Sequence, residues 1–351
     1  GDVYKRQLTR SLRARNPTRA RPDGLLFPAC LSKTSVGASN LRAMTPEVLV
    51  IAGPTASGKT ELSIHVAQAL GGEIISADSR QIYRYMDIGT AKPTVEEQAV
   101  VPHHLLDVVD PNETFSAGQF ALAASNHIED LIGRGLVPIV VGGAGFYFEA
   151  LFEGLSPIPE TPYHIKSEVA ALIKQNLEGA HSSLKDVDPE VADRVAPTDR
   201  QRIARALEVF RSTGKPLSHF QTLPRVPATT RTPLAFGIGL QRQELRNRIN
   251  LRVHRMIEDG LIIETERLLS KGYGKADAMK SFGYRESAAF LFGNMTIEDA
   301  VDAIKTGTRQ YAKRQITWFR NRTQLNWLDP ERDDLKGAII SRYEAVKSAS
   351  A

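Results

Sequence analysis

Residues Gly53-Pro54-Thr55-Ala56-Ser57-Gly58-Lys59-Thr60 fit the phosphate-binding loop pattern G-x-x-x-x-G-K-[ST] without a mismatch. An apolar run, Val48–Ala52, precedes them and reads as a buried strand. Leu62, Val66 and Leu70 follow at helical spacing. In that strand–loop–helix setting the glycines let backbone N–H groups wrap round a phosphate, and the helix N-terminus adds a favourable dipole. Lys59 supplies a positive charge, and the Thr60 hydroxyl is placed to hold Mg²⁺. The loop therefore binds a polyphosphate. By itself it leaves open which one, and what becomes of it.

Other residues narrow the chemistry. Asp78 ends a second apolar run, Glu73–Ala77, and its carboxylate suits a proton acceptor for an amine, a helix cap or a Mg²⁺ ligand. A third run, Val137–Val141, leads into Gly142-Gly143-Ala144-Gly145 with no carboxylate where many P-loop nucleotidases have one. That weakens an ordinary ATPase or kinase reading. The glycines suit close approach by a substrate, or a plain tight turn. Arginines crowd two helical stretches, Arg200, Arg202, Arg205 and Arg211 in one and Arg242, Arg246, Arg248, Arg252 and Arg255 in the other. Arg252 flanks the apolar side of its helix and suits a diphosphate clamp, or a surface role. Lys305, Arg309, Lys313 and Arg320 form a stripe in a segment, 303–328, that has no Asp or Glu. A one-sign stripe suits a nucleic-acid backbone. His103 and His104 are adjacent, so extended chain points them apart, and no further His or Cys completes a metal set.

These residues need a scaffold. Strands at 48–52, 73–77 and 137–141, with a helix at about 117–133, alternate as in a parallel sheet covered by helices. Ligands of such sheets lie at the carboxyl ends of the strands, which brings together the P-loop, Asp78 and Gly142–Gly145. From about 152 the pattern changes. Pro157, Pro159 and Pro162 stiffen a connection to helices at about 163–177, 188–193 and 199–212, and a Pro/Thr-rich loop covers 222–233. A strand at 234–240 returns to the sheet, and helices at about 242–270 and 297–320 follow. The expected fold is α/β, P-loop NTPase-like, with its core in 44–151 and 234–330, a mainly helical insert in 152–233 and a C-terminal tail in 331–351.

The 351 residues are 42% hydrophobic, enough for a substantial core, and no apolar run approaches the ~18 residues that span a membrane. One cysteine, Cys30, excludes an internal disulfide framework and a cysteine-based zinc site, and a cytoplasmic setting is expected. Nine of the 45 Lys and Arg, but only two of the 40 Asp and Glu, lie in 1–43, so that leader carries +7 and the remainder −2. The leader reads as disordered, an upstream translated or cloning scar ending before Met44, or else an Arg-rich transit peptide.

Several blocks in order carry a family resemblance: the P-loop, Ile75–Tyr83, Met86–Pro93, Gly142–Tyr147, Gln201–Val209, Phe282–Glu286 and Thr308–Asn321. Over about 46–330 the chain resembles the bacterial tRNA dimethylallyltransferases, also called tRNA isopentenyltransferases. The resemblance implies transfer of a dimethylallyl group from dimethylallyl diphosphate to N6 of the adenosine next to a tRNA anticodon, with diphosphate released. It implies Mg²⁺ as cofactor, tRNA as partner and no membrane; a monomer is expected. It assigns the diphosphate to the P-loop, with Lys59 and Arg252 assisting departure and Asp78 hydrogen-bonding the attacking amine. It assigns tRNA contacts to Asp78, Ser79, Arg80 and Gln81, to Ala144 and Lys166, and to Gln201, Arg202, Ile203, Ala204 and Arg205. Lys280, Arg285, Lys313, Arg314, Gln315 and Arg320 complete that set. The chain departs from the family at Ala144, where Thr is usual. Rival readings are a prenyltransferase of free adenine nucleotides, a small-molecule kinase, and an RNA-binding protein with a relict loop.

Overall fold

The computed structural model describes residues 47–331 and 333–349, so the leader, 1–43, lies outside the described residues. The strands are β1 (Val48–Ala52), β2 (Gly72–Ala77), β3 (His103–His104), β4 (Val137–Gly142), β5 (Pro233–Ile238) and β6 (Asn326–Leu328). They pair in the order β3-β2-β4-β1-β5-β6, every pair parallel. In the register of the central three, Leu49 of β1 lies between Ile139 of β4 and Leu234 of β5. All five residues of β1 are buried, as befits a strand covered on both faces.

The helices in chain order are α1 (Lys59–Leu70), α2 (Val95–Val100), α3 (Ala117–Gly133) and α4 (Gly145–Phe148), which runs on through a π-helical turn, Glu149–Glu153. The insert holds α5 (Tyr163–Gln175), α6 (Leu177–Val187), α7 (Pro189–Arg194), α8 (Arg200–Thr213) and α9 (Leu217–Gln221). Then come α10 (Arg242–Glu258), α11 (Leu261–Ser270), α12 (Tyr284–Leu291), α13 (Ile297–Arg322) and α14 (Leu335–Ser348).

Alternation along the strands feeds two cores. Val48, Val50, Ile75 and Val140 face α3 and Phe319 of α13; Leu49, Ile51, Ile74 and Ile139 face α1 and α14. The insert has its own core, with Val169, Leu184, Ile203 and Leu207 at its centre. Its two connections lie side by side: Leu155 bridges Val226, and Arg225 bonds the buried Glu149 at 2.7 Å.

Three details differ from the sequence reading. The stretch 242–270 is two helices, because Gly260 at φ 105° breaks it and redirects α11. Strands β3 and β6 join the sheet at its edges. Residues 335–348, expected as tail, form a helix that buries Ile339 and Tyr343 against the layer containing α1. Ile339→Ala is therefore expected to lower unfolding free energy by about 2–4 kcal/mol in a denaturant melt.

Candidate active site

The P-loop leaves β1 and enters α1 with Ala56 at φ 64°, a strained conformation for a residue with a side chain and of the kind that gathers at ligand sites. Lys59 Nζ donates to Pro54 O at 2.7 Å. Burial first, and Arg252 second, push its pKa down to about 7, while Asp78 acts the other way. Arg252 reaches in from α10 and its Nη1 donates to Thr55 Oγ1 at 3.2 Å. Burial also lowers the Arg252 pKa, against the pull of Asp78. One guanidinium and one ammonium group drawn together out of water define an anion site.

Asp78 follows β2, and its Oδ1 accepts from Arg80 N at 2.8 Å. Thr55, Asp78, Thr90 and Arg252 line two pockets at once. One is the P-loop pocket, which also holds Thr60, Ser63, His103 and Gln315. The other opens beyond Arg80, Lys280, Phe282, Tyr311 and Arg314. The shared wall makes Asp78 the carboxylate at the junction between a phosphate-binding chamber and a second, arginine- and aromatic-lined chamber.

Gln315 had been expected to touch tRNA. It is instead buried, its Oε1 accepting from Thr55 N and its Nε2 donating to Gly143 O, both at 2.9 Å. Ile203 is likewise fully buried, in the insert core, because it sits on the inner face of α8. Gln81 spends its side chain on Ser76 and on the Ala91 carbonyl at 3.0 Å. Ala144 packs its methyl against the α3-side core, and its N–H donates to Ala77 O at 3.2 Å.

The other expected contacts are placed on open surface or in clefts. Lys166, Gln201 and Arg205 line a cleft between the core and the insert, with Arg205 Nη1 also donating to Thr161 Oγ1 at 3.2 Å. Arg202, Arg285, Lys313, Arg314 and Arg320 are exposed, while Ser79 and Ala204 are half-buried. Lys280 borders the second chamber and pairs with Asp277 at 2.5 Å. The stripe on α13 is less uniform than its sequence: Lys305 pairs with Asp302 at 3.5 Å and is only 15% exposed.

The two histidines diverge as expected. His104 meets Glu73 at 2.7 Å. His103 turns to the P-loop pocket, with Nδ1 against Val101 O at 2.7 Å and a buried Nε2 that has no protein partner. His103, Thr90 and Tyr311 were not foreseen as site residues, although Thr90 lies within the Met86–Pro93 block and Tyr311 within the Thr308–Asn321 block. Among the described residues no group of three or more His, Cys, Asp or Glu gathers as a metal centre, and no helix is long and apolar enough to cross a membrane.

Fold and site together define a P-loop-type α/β protein whose phosphate chamber opens into a second substrate chamber, the layout of a group-transfer enzyme. A family model described as IPP transferase matches residues 81–322. The chain is 48% identical over 304 residues to tRNA dimethylallyltransferase 1 of Pelobacter propionicus, covering 85% of this chain and 96% of that one. It is 45% identical over 302 residues to the tRNA dimethylallyltransferase of Geobacter sulfurreducens, covering 85% and 96%. Among solved structures it is similar to the tRNA isopentenylpyrophosphate transferase of Staphylococcus epidermidis, at 38% identity and TM-score 0.63, covering 87% and 100%. A eukaryotic dimethylallyltransferase acting on tRNA superposes with TM-score 0.72 at 28% identity, covering 86% and 79%. The chain belongs to the IPP transferase family.

Gln315→Leu strands the Thr55 N–H and the Gly143 carbonyl. It is expected to cost about 1–3 kcal/mol of stability and to weaken inorganic pyrophosphate binding in calorimetry, because Thr55 also holds Arg252.

Proposed function

We propose that this protein transfers the dimethylallyl group of dimethylallyl diphosphate to N6 of the adenosine next to a tRNA anticodon, releasing diphosphate, and that it works as a cytoplasmic monomer. The observation that carries this is the pair of chambers that share Asp78, Thr55, Thr90 and Arg252. A diphosphate in the P-loop points its allylic carbon at that shared wall. The adenine, flipped from its stack, enters from the other side. Asp78 accepts a hydrogen bond from the attacking amine and takes its proton as the new C–N bond forms. The allylic C–O bond breaks, and the negative charge that collects on the diphosphate is met by Lys59, Arg252 and P-loop N–H groups already in place.

Thr60 would hold Mg²⁺. A pocket lined by hydroxyls and one carboxylate, Asp78, with no cluster of acidic residues among the described residues, suits an ion that takes most of its shell from phosphate oxygens and water. When bound, it neutralises charge on the diphosphate. The exposed cations Arg202, Arg285, Lys313, Arg314 and Arg320 supply the backbone contacts that a tRNA acceptor needs and a free nucleotide does not.

The deciding assay gives residues 44–351 Mg²⁺ and labelled dimethylallyl diphosphate with unmodified tRNA, AMP and ATP as parallel acceptors. Label is expected in tRNA alone; label in AMP without label in tRNA would overturn this reading. Asp78→Ala should nearly abolish transfer, by about 10²–10⁴-fold, while tRNA binding persists.

Lys59 adds a pH signature. Its ligand-free pKa of about 7 rises when an anion binds beside it. Below about 7 the ammonium is already charged; above it, binding must take up a proton. Pyrophosphate affinity is therefore expected to fall as pH rises above about 7, by up to about tenfold per unit. Calorimetry on wild type and Lys59→Arg checks this, since the arginine variant should lose that part of the slope.

A further inference from the structure

Two stretches singled out in the sequence, Met86–Pro93 and Phe282–Glu286, hold none of the groups that bind diphosphate or move the proton. They meet at one buried carboxylate. Glu264, in α11, is 9% exposed and accepts from three consecutive backbone N–H groups, those of Asp87, Ile88 and Gly89, at 3.1, 2.9 and 3.1 Å. The hydroxyl of Tyr284, a fully buried residue of α12, donates to the same carboxylate at 2.6 Å. The Tyr284 ring lies so close over Gly89 that a methyl group there would stand 2.5 Å from ring carbons. Only glycine fits.

Three successive N–H groups aimed at one point make a concave anion receptor. Here a side chain of the protein fills it. The far side of the same loop is pinned as well: Thr90 Oγ1 donates to Met86 O at 2.7 Å, and Gln81 Nε2 donates to Ala91 O at 3.0 Å. Lys92 is buried and donates to Tyr83 O at 2.9 Å, so it points away from the phosphate chamber. The result is a rigid wall. Gly89 and Thr90 border the second chamber, and Thr90 and Ala91 border the P-loop pocket.

We propose that Glu264 and Tyr284 are positioning residues for group transfer: they clamp loop 87–91 so that Thr90 fixes the path along which the acceptor amine approaches the donor at Asp78. The proposal rests on the transfer reaction proposed above. It accounts for both motifs with one contact, and it places the Gly260 break in α10–α11 as the turn that aims Glu264 at the loop.

The test is steady-state transfer by the full chain with Mg²⁺, dimethylallyl diphosphate and unmodified tRNA, for Glu264→Gln, Gly89→Ala and Tyr284→Phe. Glu264→Gln and Gly89→Ala are expected to lower kcat by about 10–100-fold, with KM for both substrates and the filter-binding affinity for tRNA within about twofold of wild type. Hydrogen exchange should quicken at Asp87, Ile88 and Gly89 in Glu264→Gln and stay unchanged in the P-loop. Tyr284→Phe deletes one oxygen and carries the test should the others not fold; a kcat drop of about threefold or more at constant KM is expected. Wild-type kcat in the folded variants, or a loss that follows tRNA affinity, overturns the proposal. Failure of the wild type to label tRNA refutes the reaction itself, whereas the exchange measurement still decides whether the clamp exists.

Discussion

The side-chain amide of Gln315 joins the P-loop to the turn after β4, through bonds of 2.9 Å that reach across 260 and 172 residues of chain. A loop of this kind owes its grip to the direction of its N–H groups, and a loop free to flex would blur that direction. Thr55 is held through its N–H by Gln315, and its hydroxyl in turn receives Arg252. The placement of Arg252 thus depends on a helix that otherwise presents Lys313, Arg314 and Arg320 to solvent. The side of α13 that faces out carries the exposed cations, and the side that faces in braces the P-loop pocket through Gln315.

Electrostatics at the junction follow from that bracing. Burial lowers the affinity of both Lys59 and Arg252 for protons, Arg252 lowers that of Lys59 further, and Asp78 compensates both in part. An anion completes the balance. The same arrangement separates this site from a nucleotide hydrolase: the strand that would carry an acidic residue beside the magnesium ends here in Gly142, and Gly143 follows it. The one carboxylate shared by both chambers stands after β2 instead, where an approaching amine can reach it.

The parts of the molecule legible in sequence were those with local signatures. The P-loop announces itself within eight residues, β1, β2, β4 and β5 by continuous apolar runs, and Arg252 by its place on the flank of an apolar helical face. Family blocks misled where a run of residues was treated as one surface. In α8, Arg202 and Arg205 face out while Ile203 between them is fully buried, since neighbours on a helix are about 100° apart. Gln315 was misread for the same reason. Strands of two and three residues, β3 and β6, are too short to show a period. The Glu264 receptor joins residues 175 to 177 positions apart, and no local pattern foretells it.

The long reach of Gln315 also bears on how the protein is born. Thr55 leaves the ribosome well before its brace does, and at about 5–20 residues per second the 260-residue gap amounts to a lag of roughly 13–50 s. Through that interval β1 and the loop exist without the amide that orients them, and without β5 beside them until residue 233 has emerged. The P-loop is thereby braced only near the end of synthesis, once Gln315 has emerged.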